Sequence, residues 1–452
     1  ESNQAAIAHA GGIPLLVALL SRGVDAMKNH RETLEAREDE KSISSELNSD
    51  AYETEEVADG TSGQVTPSPG PSAKSAWLVH RRAALRVTSP PTVAIPMATS
   101  EVDDLPPGCL PVSVLSEIAS ALWSLSDGNL ENQRSIADEG GVPPLITMLT
   151  GPAGVHRESA GALWALAADE TNQELIAESD GIPPLVALLN VRPPTGAQDT
   201  AAGALANLAR TPQLRAAIAN AGGITPLVGL FEGDVAEAKT QAALALATLV
   251  LNNEENQLSI AQGLVRVLKS GSLEAQEHVT LLIRDLCLDQ GTPETCSFPE
   301  NRSAIARAGA ISHLVRQLKS GTDRAQGLGA EALSLIALRS GDLRVQVTQQ
   351  LVVLLGAESE EVRKRAGIAL REMAAEGGDE SQKASAMAGG ISPLVALLKD
   401  GLADGRLEAQ EYALWSLSLV TDTNSRTTIV QEGCIKLLVT CLRAGQISMS
   451  AQ

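Results

Sequence analysis

The stretch from Asn132 to Ala167, NQRSIADEGGVPPLITMLTGPAGVHRESAGALWALA, returns from Asn172 as NQELIAESDGIPPLVALL and then TAAGALANLA. Weaker copies continue towards the C-terminus. A unit repeated every forty-odd residues constrains a chain more tightly than any single motif. Each copy is too short to bury its own apolar face, so the copies must stack in order as a solenoid.

The sharpest register mark is a turn followed by an apolar residue. It gives Gly11-Gly12-Ile13, Gly140-Gly141-Val142, Asp180-Gly181-Ile182, Gly222-Gly223-Ile224, Gly309-Ala310-Ile311, Gly389-Gly390-Ile391 and Gly433-Cys434-Ile435. The spacings between those apolar residues are 129, 40, 42, 87, 80 and 44. The two of 87 and 80 each span two repeats, so degenerate copies sit near Leu264 and Leu351.

Each unit reads as three helices. A short first helix carries NQxxIA. The glycine pair ends it, because glycine enters the left-handed region at little cost. Proline opens the second helix at Pro14, Pro143, Pro183, Pro226 and Pro393, where its missing N–H removes nothing. A loop then leads to the longest helix, with Ala160, Leu163 and Ala167 at helical spacing. Small residues such as Gly161 and Gly203 permit close approach of neighbouring helices.

The units so defined are Glu1 to about Gly128, then about 129–168, 169–210, 211–252, a shortened 253–290, 300–340, 341–378, 379–422 and a truncated ninth. The first is interrupted. Leu149 and Glu158 are nine apart, whereas their counterparts Leu20 and Glu117 are 97 apart. The chain therefore divides into 1–22, the first two helices of repeat one; 23–112, an insertion; and 113–452, the remaining repeats.

The insertion opens acidic, with 12 Asp/Glu against 4 Lys/Arg over 25–59, and continues Pro-rich (TPSPGPS, SPPTVAIP). Such composition cannot bury enough apolar area to fold alone, and it reads as a disordered loop. A mis-spliced gene model is the alternative. Within it, KSAWLVHRRAALRV (74–87) is basic and apolar. It is an ordinary piece of linker, an internal ligand for an acidic groove, or a docking motif. In the last case Arg81, Arg82, Leu85 and Val87, with Thr66-Pro67, Ser68-Pro69 and Ser89-Pro90 nearby, resemble a proline-directed kinase docking site.

Composition narrows the function. Aromatics are 2% of 452 residues, so the core must be Ala, Leu, Ile and Val. A net charge of −20 argues against nucleic acid, for which a basic stripe is expected, and favours a basic partner. The charge is uneven: 115–263 has 17 Asp/Glu and 6 Lys/Arg, while 264–371 has 12 and 14. The five cysteines, Cys109, Cys287, Cys296, Cys434 and Cys441, have no CxxC spacing and read as reduced thiols of a cytosolic or nuclear protein. No apolar run reaches the ~18 residues of a transmembrane segment. A chain that opens at Glu1, inside a repeat, reads as a fragment.

No nucleotide loop, HExxH, paired Cys/His metal spacing or GxSxG elbow occurs, so neither catalysis nor a cofactor or metal is expected. His278 and His313 read as surface or half-buried residues. Cys434 and Cys441, seven apart on one helix face, read as small buried hydrophobes rather than a redox pair.

The combination NQxxIAxxGGIPPLVxLL followed by AGALWxLA resembles the armadillo repeat, over about four fifths of the chain. HEAT repeats are the near alternative, but usually have two helices and lack the GGIPPL turn. The resemblance implies an all-α, right-handed armadillo-repeat α-solenoid of eight to nine three-helix repeats. Its third helices would line a groove that takes a partner segment. In that family an asparagine on the third helix clamps the peptide backbone, since its amide both donates and accepts.

That position falls here at Ser124, Ala165, Asn207, Thr248, Asp285, Leu335, Glu372 and Ser416, so only Asn207 keeps the asparagine. Four residues earlier, where importin alpha has tryptophan, stand Ser120, Gly161 and Gly203. Trp123, Trp164 and Trp415 lie one residue before the clamp position and are equally placed to face the groove or to pack. The expected groove set is Trp123, Ser124, Trp164, Asn207, Thr248, Asp285 and Ser416. Generic armadillo scaffolds of the vacuolar, axonemal and plant types are nearer in pattern than importin alpha or beta-catenin. The implied role is a non-catalytic scaffold or adaptor. The alternatives are a transport receptor of the importin alpha type and the substrate-recruiting arm of a larger protein such as a U-box ubiquitin ligase.

Overall fold

The computed structural model describes residues 3–52, 110–191, 196–288, 298–338, 340–355, 357–375, 391–405, 407–418 and 423–443. It bears out the all-helical solenoid expected from the repeats. Repeat one has α1 (Asn3–His9), α2 (Gly12–Tyr52) and α3 (Val112–Ser126). Repeat two has α4 (Leu130–Asp138), α5 (Val142–Met148) and α6 (His156–Leu166). Repeat three has α7 (Glu170–Glu178), α8 (Ile182–Leu188) and α9 (Ala197–Leu208). Repeat four has α10 (Pro212–Asn220), α11 (Ile224–Gly229) and α12 (Ala236–Leu249).

The two glycines of each turn have different duties. The first takes the left-handed conformation, as at Gly140 (φ 82°) and Gly222 (φ 78°); Asp180 does the same at φ 58°. The second is right-handed but has no room for a side chain. A Cβ at Gly141 would lie 2.8 Å from both the Ile136 side chain and its carbonyl oxygen. This tight corner bends the chain by 80° between the first and second helices of repeat four.

Where the glycine pair is lost, so is the corner. In repeat five the first two helices merge into α13 (Glu254–Ser270), followed by α14 (Leu273–Cys287). Repeat six recovers three helices, α15 (Phe298–Arg307), α16 (Ala310–Ser320) and α17 (Asp323–Ala337), with Gly309 left-handed at φ 91°. Repeat seven merges again as α18 (Gly341–Leu355) before α19 (Glu360–Ala375). These two units have the two-helix plan of a HEAT repeat inside an armadillo array. Repeats eight and nine contribute α20 (Ile391–Asp404), α21 (Leu407–Ser418), α22 (Thr423–Gln431) and α23 (Cys434–Arg443).

One boundary differs from the sequence expectation. The second helix of repeat one does not stop at 22 but runs through the first part of the insertion to Tyr52. Val24 is buried and Met27 packs against the core, beside Gly151 of repeat two. Residues 31–37 are exposed, and Arg31 and Glu35 pair at 2.9 Å one turn apart. The rest of the insertion, 53–109, lies outside the described residues, as does the segment 74–87.

The core is one continuous cluster of Ala, Leu, Ile and Val from Ile13 to Cys441, with Phe231 its largest fully buried side chain. Third helices pack on third helices in order: α3 on α6, α6 on α9, α9 on α12. The series thins abruptly between α12 and α14, then resumes as α14 on α17 and α17 on α19. Across this seam α11 packs on α13, and Lys239 Nζ reaches Glu274 Oε1 at 2.5 Å.

Candidate protein-binding face

The ends of the third helices are closed by the next repeat. A helix leaves its last carbonyls without partners, and burial makes that costly. Asn132 Nδ2 donates to Leu125 O at 2.7 Å and Gln133 Nε2 to Ser126 O at 2.9 Å. Asn172 Nδ2 donates to Leu166 O and Gln173 Nε2 to Ala167 O. Asn256 and Gln257 do the same for Leu249 O and Val250 O. In repeat four Arg215 stands in, reaching Ala209 O, Arg210 O and Leu251 O. In repeat six Asn301 and Arg302 take Leu286 O and Cys287 O. The NQ pair recurs in the sequence at Asn132-Gln133, Asn172-Gln173 and Asn256-Gln257; its capping role comes from the structure.

Between third helices, Trp123 and Trp164 do two things at once. A Cβ at Gly161 would meet the Trp123 ring at 2.4–2.6 Å, and one at Gly203 would meet Trp164 at 2.5–2.9 Å. Each indole therefore lies on bare backbone of the following helix, while staying half-buried. Of the two placements left open by the sequence, packing is the one observed, and each ring keeps part of its surface exposed.

Asn207, the single asparagine at the clamp position, donates its Nδ2 to Trp164 O at 3.0 Å. Its Oδ1 accepts from nothing among the described residues. Ser124 has an exposed side chain, and its carbonyl accepts from Gln4 Nε2 at 2.7 Å. Thr248 is half-buried and its hydroxyl donates back to Leu244 O. Leu244, where Gly161 and Gly203 stand in earlier repeats, is 53% exposed.

The expected set is thus split by the seam. Trp123, Ser124, Trp164, Asn207 and Thr248 lie on the continuous stack α3–α12. Asp285 lies beyond it, exposed and held by Arg284 Nη2 at 2.7 Å. Arg284 also meets Glu331 of the next third helix at 3.4 Å. Ser416 is in α21, and its side chain is outside the described set. Arg81, Arg82, Leu85 and Val87 lie outside the described residues altogether.

The acidic charge is not where a groove ligand would need it most. Of the carboxylates in 115–263, the third helices carry Glu117, Glu158, Asp199 and Glu237. More stand on the first helices, with Glu131 and Asp138 on α4, Glu170, Glu174 and Glu178 on α7, and Glu254 and Glu255 on α13. Asp169 caps α7 and pairs with Arg134 at 2.9 Å. Burial opposes its charge, but Thr171, Arg134 and Asn172 outweigh that and hold its pKa below the usual carboxylate value.

The remaining titratable groups serve packing. His156 is buried with Nε2 2.8 Å from Gly151 O, and burial pushes its pKa down. His278 and His313 are half-buried. The thiols of Cys287, Cys434 and Cys441 are free and buried, and burial pushes Cys287 up to about 12. Among the described residues no three His, Cys, Asp or Glu side chains gather as metal ligands.

Residues 169–210 match the Armadillo/beta-catenin-like repeat, the same bounds that the sequence spacing gives for repeat three. Among solved structures, the chain is similar to an engineered protein at 29% identity, over 75% of this chain and 82% of that one, with a TM-score of 0.44. A designed armadillo repeat protein aligns at 21% identity over 58% of this chain and 94% of its own, with a TM-score of 0.34. Another, in complex with the peptide (KR)4, aligns at 21% over 58% and 93%, also with a TM-score of 0.34. No curated protein matches the chain. Repeat three thus matches the armadillo family model outright, and it stands in an array of Gly-turn units with stacked third helices.

Proposed function

We propose that this protein is a non-catalytic interaction scaffold that holds an extended partner segment along the third helices of repeats one to four. The observation that carries the reading is the unbroken face α3–α6–α9–α12, on which Trp123 and Trp164 stay half-exposed although both are used in packing. Aromatic surface held rigid by its own fold costs little entropy on binding. Asn207 supports it, with an acceptor oxygen left open and its donor tied down, so that Oδ1 is oriented for a backbone N–H of the ligand. Glu117, Glu158, Asp199 and Glu237 favour a segment with basic residues and quicken its approach.

The test is capture of partners from the source cell, compared with Asn207→Ala and Thr248→Ala variants. Neither substitution removes a tryptophan from the stack, so both should fold. Loss of the same partners from both variants supports the reading. An unchanged partner set overturns it for repeats three and four.

A further inference from the structure

We propose that a cationic strip across repeats five and six, made by Arg266, Lys269, His313, Arg316 and Lys319, docks an acidic peptide segment of a partner protein. Repeats five and six share a tandem that the other repeats lack. LVRVLKSGS (264–272) closes α13, and LVRQLKSGT (314–322) closes α16. The first places Arg266 and Lys269 one turn apart, and the second repeats them as Arg316 and Lys319. The same two positions hold Thr147 and Thr150 in repeat two, Ala187 and Asn190 in repeat three, and Gly229 and Glu232 in repeat four. Val353 stands at the first of them in repeat seven. The strip is therefore two repeats wide, inside a chain of net charge −20.

Packing draws the two copies together. α13 lies against α16, and Arg316 Nη2 donates to Leu268 O at 3.2 Å. Arg266, Lys269, Arg316 and Lys319 are exposed, and His313 is half-buried. Burial, Arg316 and Lys269 all push the His313 pKa down, so the cations of both repeats meet at this ring. Like charges one turn apart repel. Elsewhere in this region cations are answered: Arg284 by Asp285, Arg324 by Glu277, Arg365 by Asp323. Arg266, Lys269, Arg316 and Lys319 pair with no carboxylate among the described residues. Glu274 and Asp323, which follow the two strips in sequence, are held by Lys239 and Arg365.

Four exposed cations without a counter-charge fit an anion, and their spacing selects its kind. Neighbouring helices pack about 10 Å apart. Three residues of extended chain, at about 3.3 Å each, span that distance. A segment with acidic residues at every third position therefore meets both repeats in register. A nucleic acid or an anionic membrane is a longer or broader surface. It would press its charge against exposed Glu232 and the acidic first helices of repeats two and three. The strip lies on other helices than the third-helix face and does not rest on the groove reading.

Fluorescence anisotropy of the full chain with a labelled peptide of repeating Glu-Glu-Ser triplets tests this, with a Gln-Gln-Ser peptide as the neutral control. The wild type should bind the acidic peptide, more weakly as salt rises, and leave the neutral one unbound. Lys269→Glu and Lys319→Glu together should weaken binding about tenfold. Lys399→Glu reverses an exposed lysine at the same position of repeat eight, where Ala396 replaces the arginine, and should change nothing. All three positions are exposed, so folding is kept. A wild type that does not bind overturns the inference. So does an equal loss from Lys399→Glu, which would make the effect one of net charge. Tighter binding to poly(U) RNA or to phosphatidylserine vesicles than to the peptide overturns it, by naming another polyanion as the occupant. Self-association that the double variant abolishes overturns it too, by naming a second copy.

Discussion

Repeats one to three and repeats five to six use the same two positions to join their third helices, with opposite chemistry. One residue before the clamp position, and four residues before it on the next repeat, stand Trp123 over Gly161 and Trp164 over Gly203. At the corresponding places in the later region stand Arg284 and Glu331, 3.4 Å apart. Neighbouring ion pairs extend that pattern: Arg324 with Glu277 at 3.2 Å, and Arg365 with Asp323 and Glu361. At these two positions the first region uses shape and dispersion and the second uses exposed charge, over a buried apolar core that both share. The geometry of the repeat fixes which residues face each other. It does not fix how they attract, and a ring on a glycine and a salt bridge are interchangeable answers.

The comparison predicts unequal responses to substitution. Gly161→Leu should be the most damaging change, at about 3 kcal/mol, because it forces the Trp123 indole off its seat. Thermal or denaturant unfolding measures it, and a loss under 1 kcal/mol would mean the ring is not held by the fold. Asn172→Ala should cost about 2 kcal/mol, since it removes the buried side-chain donor shared by the carbonyls of Leu166 and Gln133 and the amide that ties repeat three to repeat two. The same substitution at exposed Asn29 gives the baseline.

Acid should have a smaller effect, again in the early repeats. His156 has its folded pKa lowered from 6.5 by burial, so the unfolded chain binds the proton more readily. Its contribution is complete above pH 6.5 and is lost as the pH falls from there through the folded value. His156→Gln, whose amide can still donate to Gly151 O, should flatten the stability curve between pH 7 and 5. An unaltered curve would place the acid sensitivity elsewhere.

Least affected should be Arg284→Ala, at under about 1 kcal/mol, because its partners are exposed and screened by salt. Hydrogen exchange in high salt sharpens the contrast. Amides of α14, α17 and α19 should open faster, and those of α6 and α9 should not. Equal change in both regions would remove the distinction.

Much of this architecture was legible in the sequence because the marks were local. A left-handed corner calls for glycine, so Gly140-Gly141 and Gly222-Gly223 announce themselves, and even Asp180 is a residue that tolerates the conformation. The missing glycine pair at repeat five was visible in a shortened unit, but its consequence, the merged α13, came from the structure. The Trp–Gly contacts were not, because Trp123 and Gly161 belong to different repeats and pair only once the stacking register is known. The capping amides escaped for a further reason. Their partners are backbone carbonyls, which no residue type marks.

The helical start of the insertion was hidden by composition. Its many charges suit a disordered segment, yet Ala, Glu, Arg and Leu between 31 and 37 are also good helix formers. At the candidate site, the family pattern located Asn207 and the tryptophans. It could not show that Asn207 spends one side of its amide on Trp164, because that depends on the distance between two helices.

The capping amides also decide where the array can be cut. Asn172 and Gln173 belong by sequence to repeat three, yet they finish the last turn of repeat two. A ribosome that has released Ala167 has not released a complete second repeat; it must deliver the next first helix before those carbonyls are satisfied. Folding during synthesis should trail the helical units by that length. A truncation that respects the separable piece ends after a first helix, at Glu178 or Asn220, rather than after a third.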